Sequence, residues 1–399
     1  MYIKRIVTLI FAFQSIGFPL IKGKIGTLDF STNLTTTYDS NLYGLTKDEF
    51  IKNKSKNSDL KSRDDVILIL HPILHYSKDI SLLSVGASTG IQMAEFMFNS
   101  SRSYTIPTTT VSIDFDETLS LKKRISTNSK IRFYTTFDLG QSVGTDLIEG
   151  DLISYTFFNI GLNARYNHSA KLAFGTGTSY EVKEYQSGAV NNDYQDLESL
   201  PISSDVIYIY SPKLDFFLNH TYQKTETSNS TLSLGNTTSH TFSLGANGEV
   251  SSKLTGSGSV GYSNLSYQNN LMNDKSSFAT SANINLKHNS KTTSNVNLSR
   301  SFSPTASANS QLSTFFRYGI NHKLSPTISS VIGLSHSLTE VYVMNGFSFE
   351  TTQTGLDASL TKLLSKNFTS QFIYNVNSIS RNTSNFNRHI ISASITGRF

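Results

Sequence analysis

The chain ends His389-Ile390-Ile391-Ser392-Ala393-Ser394-Ile395-Thr396-Gly397-Arg398-Phe399, and the two parities of that segment differ in kind. Counting back by two from Phe399 gives Gly397, Ile395, Ala393 and Ile391. The other parity gives Arg398, Thr396, Ser394 and Ser392. Successive side chains of a strand point to opposite faces, so this is a strand with one apolar and one polar face. Such a strand suits a wall between lipid and water.

The same period of two recurs upstream. Leu28, Phe30 and Leu34 share a face near the start. Val111, Ile113 and Phe115 stand opposite Ser112, Asp114 and Asp116. Ile131, Phe133, Phe137 and Leu139 oppose Arg132, Tyr134 and Asp138, and Phe158, Ile160, Leu162, Ala164 and Tyr166 oppose Asn159, Gly161, Asn163 and Arg165. Later faces are Phe278/Ala282/Ile284/Leu286, Phe316/Tyr318/Ile320, Ile328/Ile332/Leu334 and Phe368/Phe372/Tyr374/Val376. Strict alternation argues half-buried strands and not helices.

Short polar turns are expected near 78–79, 126–128, 168–169, 219–221, 251–253, 289–291, 325–326 and 365–367. Longer connections alternate with them, near 44–65, 98–108, 143–151, 185–205, 235–239, 268–277, 304–313, 342–350 and 381–387. These predict an all-β fold: a transmembrane, antiparallel, up-and-down β-barrel of about 18 strands. The turn at 219–221 carries the weakest signal, and without that hairpin the count is about 16. Roughly 21 residues per strand and connection fits short turns at one end and longer loops at the other. Both termini then lie on the short-turn side. A soluble sandwich would also alternate, but about 380 residues would divide into domains joined by linkers, and no linker is visible. Glu117 and Arg300 fall on the lipid parity, where a charge costs roughly 2–4 kcal/mol at midplane. They belong at the rims, or a bulge shifts the register.

Composition agrees. Of 399 residues, 37% are hydrophobic and 16% charged, below the roughly 25% charged content of soluble domains; Ser, Thr, Asn and Gly make up the difference. Tyr (19) and Phe (26) must supply the interfacial aromatic belts, because Trp is absent. With no cysteine, thiolate metal sites and redox centres are excluded. The net charge of +5 lies partly in the first residues and does not point to nucleic acid. Lys4 and Arg5 precede the apolar run Ile6–Phe13 and then Ser15-Ile16-Gly17, the order of a secretory signal. The expected organisation is a signal peptide over 1–17, cleaved after Gly17 or Gly23, and a barrel over 18–399. No apolar 20-mer follows, and a membrane protein lacking one satisfies its backbone as a barrel.

Phe399 resembles the C-terminal recognition signal of bacterial outer-membrane barrels, which implies the barrel-assembly machinery as a partner. Gly397 stands where such signals often carry Tyr or another hydrophobic residue. Tyr38-Asp39-Ser40-Asn41-Leu42 resembles the Tyr-Asp-x-Asn-hydrophobic signature of the putative β-barrel porin 2 family, as does the entry at Asp64-Asp65. The resemblance implies a channel in the outer membrane of a Gram-negative bacterium, among lipid and lipopolysaccharide. It would pass a small hydrophilic solute or, in the sharper version, export an exopolysaccharide. Tyr38, Asp39 and Asn41 are the family-motif residues; for Asp39 and Asn41 turn formation and rim hydrogen bonds are the plainer role. A weak duplication also appears: Asp65–Leu74 and Asp205–Leu214 share Asp, Val, Ile, Ile, Pro and Leu, suggesting a repeated kink at Pro72 and Pro212.

No enzyme constellation emerges, and no cofactor or metal is expected. His71 and His75 share a parity but lie about 13 Å apart by strand rise. Gly256-x-Gly258 lies within a strand, so a phosphate loop does not fit. What remains is the lumen. Polar parity places Asp114, Asp116, Lys122, Arg132, Asp138, Arg165, Lys183, Lys213, Asp215 and Arg317 inside, with Lys171 and Lys323. Opposed charges of this kind set selectivity in wide pores. Barrels of 16–18 strands leave an aqueous channel unless plugged, and the loops at 44–65 and 185–205 are the expected plugs. A closed barrel presenting its loops to a partner or surface polymer is the competing expectation.

Overall fold

The structure is a computed structural model; it describes residues 21–116, 130–186, 188, 190, 194–227, 236–268, 272–307, 309–343, 347–382 and 384–399. The expected signal peptide, Glu117, Lys122 and the turn at 126–128 lie outside the described residues. A short spur, β1 (Ile21–Gly23), leads into β2 (Gly26–Asp39), β3 (Asp65–Ile80), β4 (Leu83–Phe96), β5 (Tyr104–Asp116), β6 (Lys130–Asp146) and β7 (Asp151–Asn167). The wall continues with β8 (Leu172–Tyr185), β9 (Leu197–Ser211), β10 (Leu214–Thr227), β11 (Thr237–Ser251), β12 (Leu254–Tyr267) and β13 (Lys275–Lys287). It ends with β14 (Thr292–Pro304), β15 (Ser310–Lys323), β16 (Ile328–Tyr342), β17 (Ser348–Leu363), β18 (Phe368–Arg381) and β19 (Ser384–Arg398).

Each wall strand pairs antiparallel with its sequence neighbours, and β19 returns to β2 over Ile390–Asp39 to Arg398–Ser31. The 18 strands β2–β19 therefore form one closed ring. Closure leaves no unpaired edge, the condition for spanning lipid with strands. The apolar parity remains exposed, as at Phe216, Leu218, Phe242, Leu244, Val260, Tyr262, Ile332 and Leu334. The opposite parity meets other residues across the interior, so the first is the outer face and the second the lumen. β1 and Phe399 both lie at the short-turn end.

The strand count of 18 stands, but two turns move, the first from 78–79, which lie inside β3, to 81–82. Residues 219–221 lie in the middle of β10, and the hairpin turns instead at Pro212–Lys213. Proline presets a turn's φ and donates no ladder hydrogen bond. Pro72, by contrast, lies inside β3. The two Asp-Val-Ile segments are therefore not equivalent in the fold, and the expected repeat is not a structural one. Several long connections are shorter than expected because strands extend into them; β9 begins at Leu197 and β5 at Tyr104.

Arg300 sits near the loop end on the outer parity. The β13–β14 ladder stops at Thr280–Arg300. Into that gap Arg300 reaches, donating to Ser277 Oγ at 3.1 Å and to Thr314 Oγ1. The rim explanation holds for this residue, and its polar partners replace water.

Candidate functional site

The lumen is crossed near its loop end by a hairpin of the wall itself. Pairing of β5 with β6 ends at Thr108–Gly140. The next residue of β5 is Pro107, which has no N–H to donate. Beyond that point β6 pairs with β7 alone, as far as Asp146–Asp151. On its other side β7 leaves β8 after Tyr155–Tyr185, with a last bond from Gln186 N–H to Ser154 O at 2.9 Å. Residues 141–153 are thus a two-stranded ribbon out of backbone pairing with the wall.

The ribbon turns inward. On one face Val143 and Leu152 pack into the apolar cluster of the first loop, and Thr145 Oγ1 donates to Leu42 O at 2.7 Å. Its other face, with Ser142, Gly144, Asp146, Ile153 and Tyr155, lines a cavity of about 460 Å³. The far wall of that cavity is Ser337 and Thr339 of β16 and Thr351 and Gln353 of β17, about half the ring away. At the tip, Glu149 accepts a hydrogen bond from Ser307 Oγ at 2.7 Å, and Leu147 O accepts one from Arg381 at 3.2 Å. Gln195 N–H also donates to Ala306 O at 3.0 Å, joining two further loops across the mouth.

The connection between β2 and β3 fills the space behind the ribbon. It contains α1 (Lys47–Lys56), started by a capping box in which Thr46 and Glu49 exchange hydrogen bonds. Leu42, Tyr43, Leu45, Phe50 and Leu60 bury against Ile67 of β3 and Ala94 and Phe96 of β4. Those three residues have lumen parity. This accounts for the run Val66–Leu70, apolar on both parities: lipid faces one side and the folded-in loop the other. Burial pushes the Tyr43 hydroxyl up to about 12.

Polar residues fix the loop roots. Asp39, almost fully buried, accepts from Arg388 Nε at 3.0 Å and from Asn41 N–H at 2.9 Å. The Asn41 amide donates to Leu45 O at 2.9 Å and accepts from Leu45 N–H at 3.1 Å. The structure thus places Asp39 and Asn41 in a loop clamp and leaves Tyr38 on the outer face. Asp65, fully buried, accepts from the Phe98 and Asn99 N–H groups. Asp151 accepts from Val190 N–H and the Tyr194 hydroxyl. Glu49 lies 3.1 Å from Arg381 of β18. Burial alone would raise its carboxyl, but the Thr46 N–H and the Arg381 charge outweigh that and hold it below its ordinary value. At the tip, burial holds the Glu149 carboxyl above its ordinary value.

Below the constriction the lumen charges pair along the wall. Arg132 meets Asp114 at 3.1 Å, and Arg165 meets Asp215 at 2.8 Å. Arg317 meets Asp357 of β17 at 2.6 Å, and Asp357 is a partner that sequence reasoning missed. Gly333 makes room for that pair: a Cβ there would lie 2.5 Å from Asp357 Oδ1 and 2.6 Å from Arg317. Asp138 accepts a long 3.5 Å bond from Asn159. Lys183 lies near the loops beside Glu181 at 3.0 Å, away from the other pairs. Lys213 is at the turn rim, 2.7 Å from Glu249. Lys171, expected inside, is also at that rim but leans over the ring of Tyr208, which shares the outer parity of Val206 and Tyr210. Asp116 closes β5 opposite Arg132 in register. His71 and His75 face the lumen, where His75 is 2.9 Å from Ser31 Oγ and His71 is 3.4 Å from Thr108 Oγ1.

Sequence reasoning also missed Arg381 and Arg388, which hold the constriction. Their lumen parity was readable, but their partners are 332 and 349 residues away. No group of three or more His, Cys, Asp or Glu able to hold a metal ion occurs among the described residues.

The chain is similar to several solved structures. The outer membrane protein OpdK of Pseudomonas aeruginosa is 10% identical, over 93% of this chain and 99% of that one, with a TM-score of 0.47. For OccAB4 of Acinetobacter baumannii the values are 12%, 93%, 98% and 0.46. For a bacterial polysaccharide outer membrane secretin they are 9%, 92%, 98% and 0.35. No curated protein matches the sequence. Residues 119–399, more than half of the chain and all downstream of the Tyr38–Asn41 motif, match a family described as putative β-barrel porin 2. With its closed ring of 18 antiparallel strands, this porin-like outer-membrane barrel belongs to the putative β-barrel porin 2 family.

Proposed function

We propose that the protein is a channel through the outer membrane of a Gram-negative bacterium. Hydrophilic solutes pass it, and the solute that fits best is an exopolysaccharide on its way out of the cell. The observation that carries this is the lumen itself. An 18-stranded ring is wide enough for water, and below the constriction its inner parity is mainly amide, hydroxyl and charged groups. The constriction is one ribbon, out of backbone pairing with the wall over 141–153, packed on the first loop through Val143 and Leu152, and tied by side-chain hydrogen bonds at Thr145 and at its tip. A ribbon held this way can move without opening the ring.

The interlocked loops at the same end favour a second reading, a closed barrel that presents its loops to a partner or surface polymer. Planar-bilayer conductance separates the two. The expected result is a measurable conductance for the whole protein and a several-fold larger one when residues 142–153 are replaced by a two-residue turn. Two silent, folded proteins would leave the second reading standing. The exopolysaccharide is tested by the neighbouring genes, where polysaccharide synthesis genes are expected.

A further inference from the structure

The turn-side mouth carries a charge pattern that the lumen pairs below the constriction do not share. Lys213, Lys253 and Lys291 recur in the turns after β9, β11 and β13. Each gives its carbonyl to an N–H at the end of a neighbouring strand: Lys213 O to Glu249 at 2.7 Å, Lys253 O to Lys287 at 2.7 Å, and Lys291 O to Lys323 at 2.8 Å. In the first turn the opposing residue is an acid, and the ammonium finds it at 2.7 Å. In the next two the acid is replaced by a second lysine.

Lys287 shares the parity of Asn283 and Asn285, and Lys323 that of Arg317 and Asn321, so both project from the lumen face. Lys253, Lys287, Lys291 and Lys323 are all exposed, and none forms a salt bridge among the described residues. Like charges set opposite one another on adjacent strands destabilise a sheet. Two such pairs side by side at a pore mouth create a positive field, which raises the local concentration of anions.

We infer that this mouth recruits anionic solutes, chains or small molecules bearing carboxylate or phosphate groups. The inference rests on the channel reading and names its substrate class. Membrane phosphates offer the same chemistry, but the lumen parity of Lys287 and Lys323 turns them away from lipid.

Two measurements test it, in zwitterionic lipid or detergent so that no anionic headgroup contributes. The first is the reversal potential in a potassium chloride gradient. Chloride preference is expected for the whole protein. A shift toward potassium is expected when Lys253, Lys287, Lys291 and Lys323 are all changed to Glu, with the matching Lys→Gln set in between. The second is calorimetry with a short polygalacturonate and a neutral dextran of equal length, which needs no open pore. The polyuronate is expected to bind, more weakly as salt rises, and to be lost in the Glu variant; dextran is expected not to bind. Identical reversal potentials or identical polyuronate binding in the two folded proteins would overturn the inference. Lysine-dependent binding without conductance would support it and remove the channel reading instead.

Discussion

Gly256 and Gly258 stand two residues apart in β12, and the fold constrains them unequally. Gly256 has φ +151°, and a Cβ on it would lie 2.1 Å from Asn283 O of the next strand. At Gly258 the nearest atom to a Cβ is 3.9 Å away. The backbone conformation at Gly256 alone costs a side chain about 1–3 kcal/mol, before the clash. Gly256→Ala is therefore expected to lower the free energy of unfolding from lipid vesicles in urea by at least that much, and Gly258→Ala by less than about 0.5 kcal/mol. A Gly-x-Gly pair in a strand was readable from the sequence; which glycine was forced was not, because it depends on how closely β13 approaches. The lumen charges behave differently. The Arg317–Asp357 pair is partly exposed, at 25% and 28%, and is worth about 1 kcal/mol or less. Arg317→Gln is expected to leave stability almost unchanged and to shift selectivity toward cations, since Asp357 then stands alone. A reversal potential equal to that of the unmodified protein would count against it.

At the scale of elements, the first loop and the ribbon answer to pH in opposite directions. Glu49, held below its ordinary value, ties the loop to Arg381. Such a contact is complete above the unfolded carboxyl value of about 4.3 and is lost as pH falls through the lowered folded value. Glu149 is held above its ordinary value, so the tip is tightest when that group is protonated and weakens as pH rises through the raised value. Between pH 7 and pH 3 release of Glu49 is expected to raise conductance, and the rise to be lost in Glu49→Gln, which keeps only the fall that protonation of Glu149 gives. Glu149→Gln is expected to tighten the tip and lower conductance at neutral pH. A rise that survives Glu49→Gln would assign it elsewhere. The first loop was recognisable as a plug by its length, and Val66–Leu70, apolar on both parities, marks the wall it covers. In sequence 143–151 looks like an ordinary long connection, and nothing in it shows that the flanking strand ends leave the wall with it. Its departure is written on the neighbouring strand, in Pro107, and only the register of β5 against β6 shows what that proline interrupts.

For the molecule as a whole the controlling event is closure, the meeting of β2 and β19 from opposite ends of the chain. Their ladder runs from Ile390–Asp39 to Arg398–Ser31, shorter than that of β6 with β7. It is reinforced at both ends. At the turn end Phe399 and Phe30 exchange backbone bonds of 2.7 and 2.8 Å, and the Phe399 ring packs on Phe30 and Phe368. Gly397 lies beneath those rings, where a Cβ would be 2.9 Å from Phe399 and 3.1 Å from Phe368. The glycine that departs from the usual terminal signal thus lets the terminal ring fold back over its own strand. At the loop end the seam is joined by Asp39 and Arg388, both nearly excluded from water. The terminal Phe and the Tyr-Asp-x-Asn motif, found at opposite ends of the sequence, are in this sense two clasps on one seam. Removing one partner of a buried ion pair leaves a stranded charge and typically costs about 3–5 kcal/mol, while replacing both with apolar groups can be nearly neutral. Arg388→Met is accordingly expected to destabilise the barrel by about 3 kcal/mol or more, read by circular dichroism during urea unfolding from vesicles. Asp39→Leu combined with Arg388→Met is expected to recover most of that loss. If the double variant is instead as unstable as the sum of its single changes, the seam does not depend on this pair, and closure rests on the ladder and the aromatic cluster at its other end.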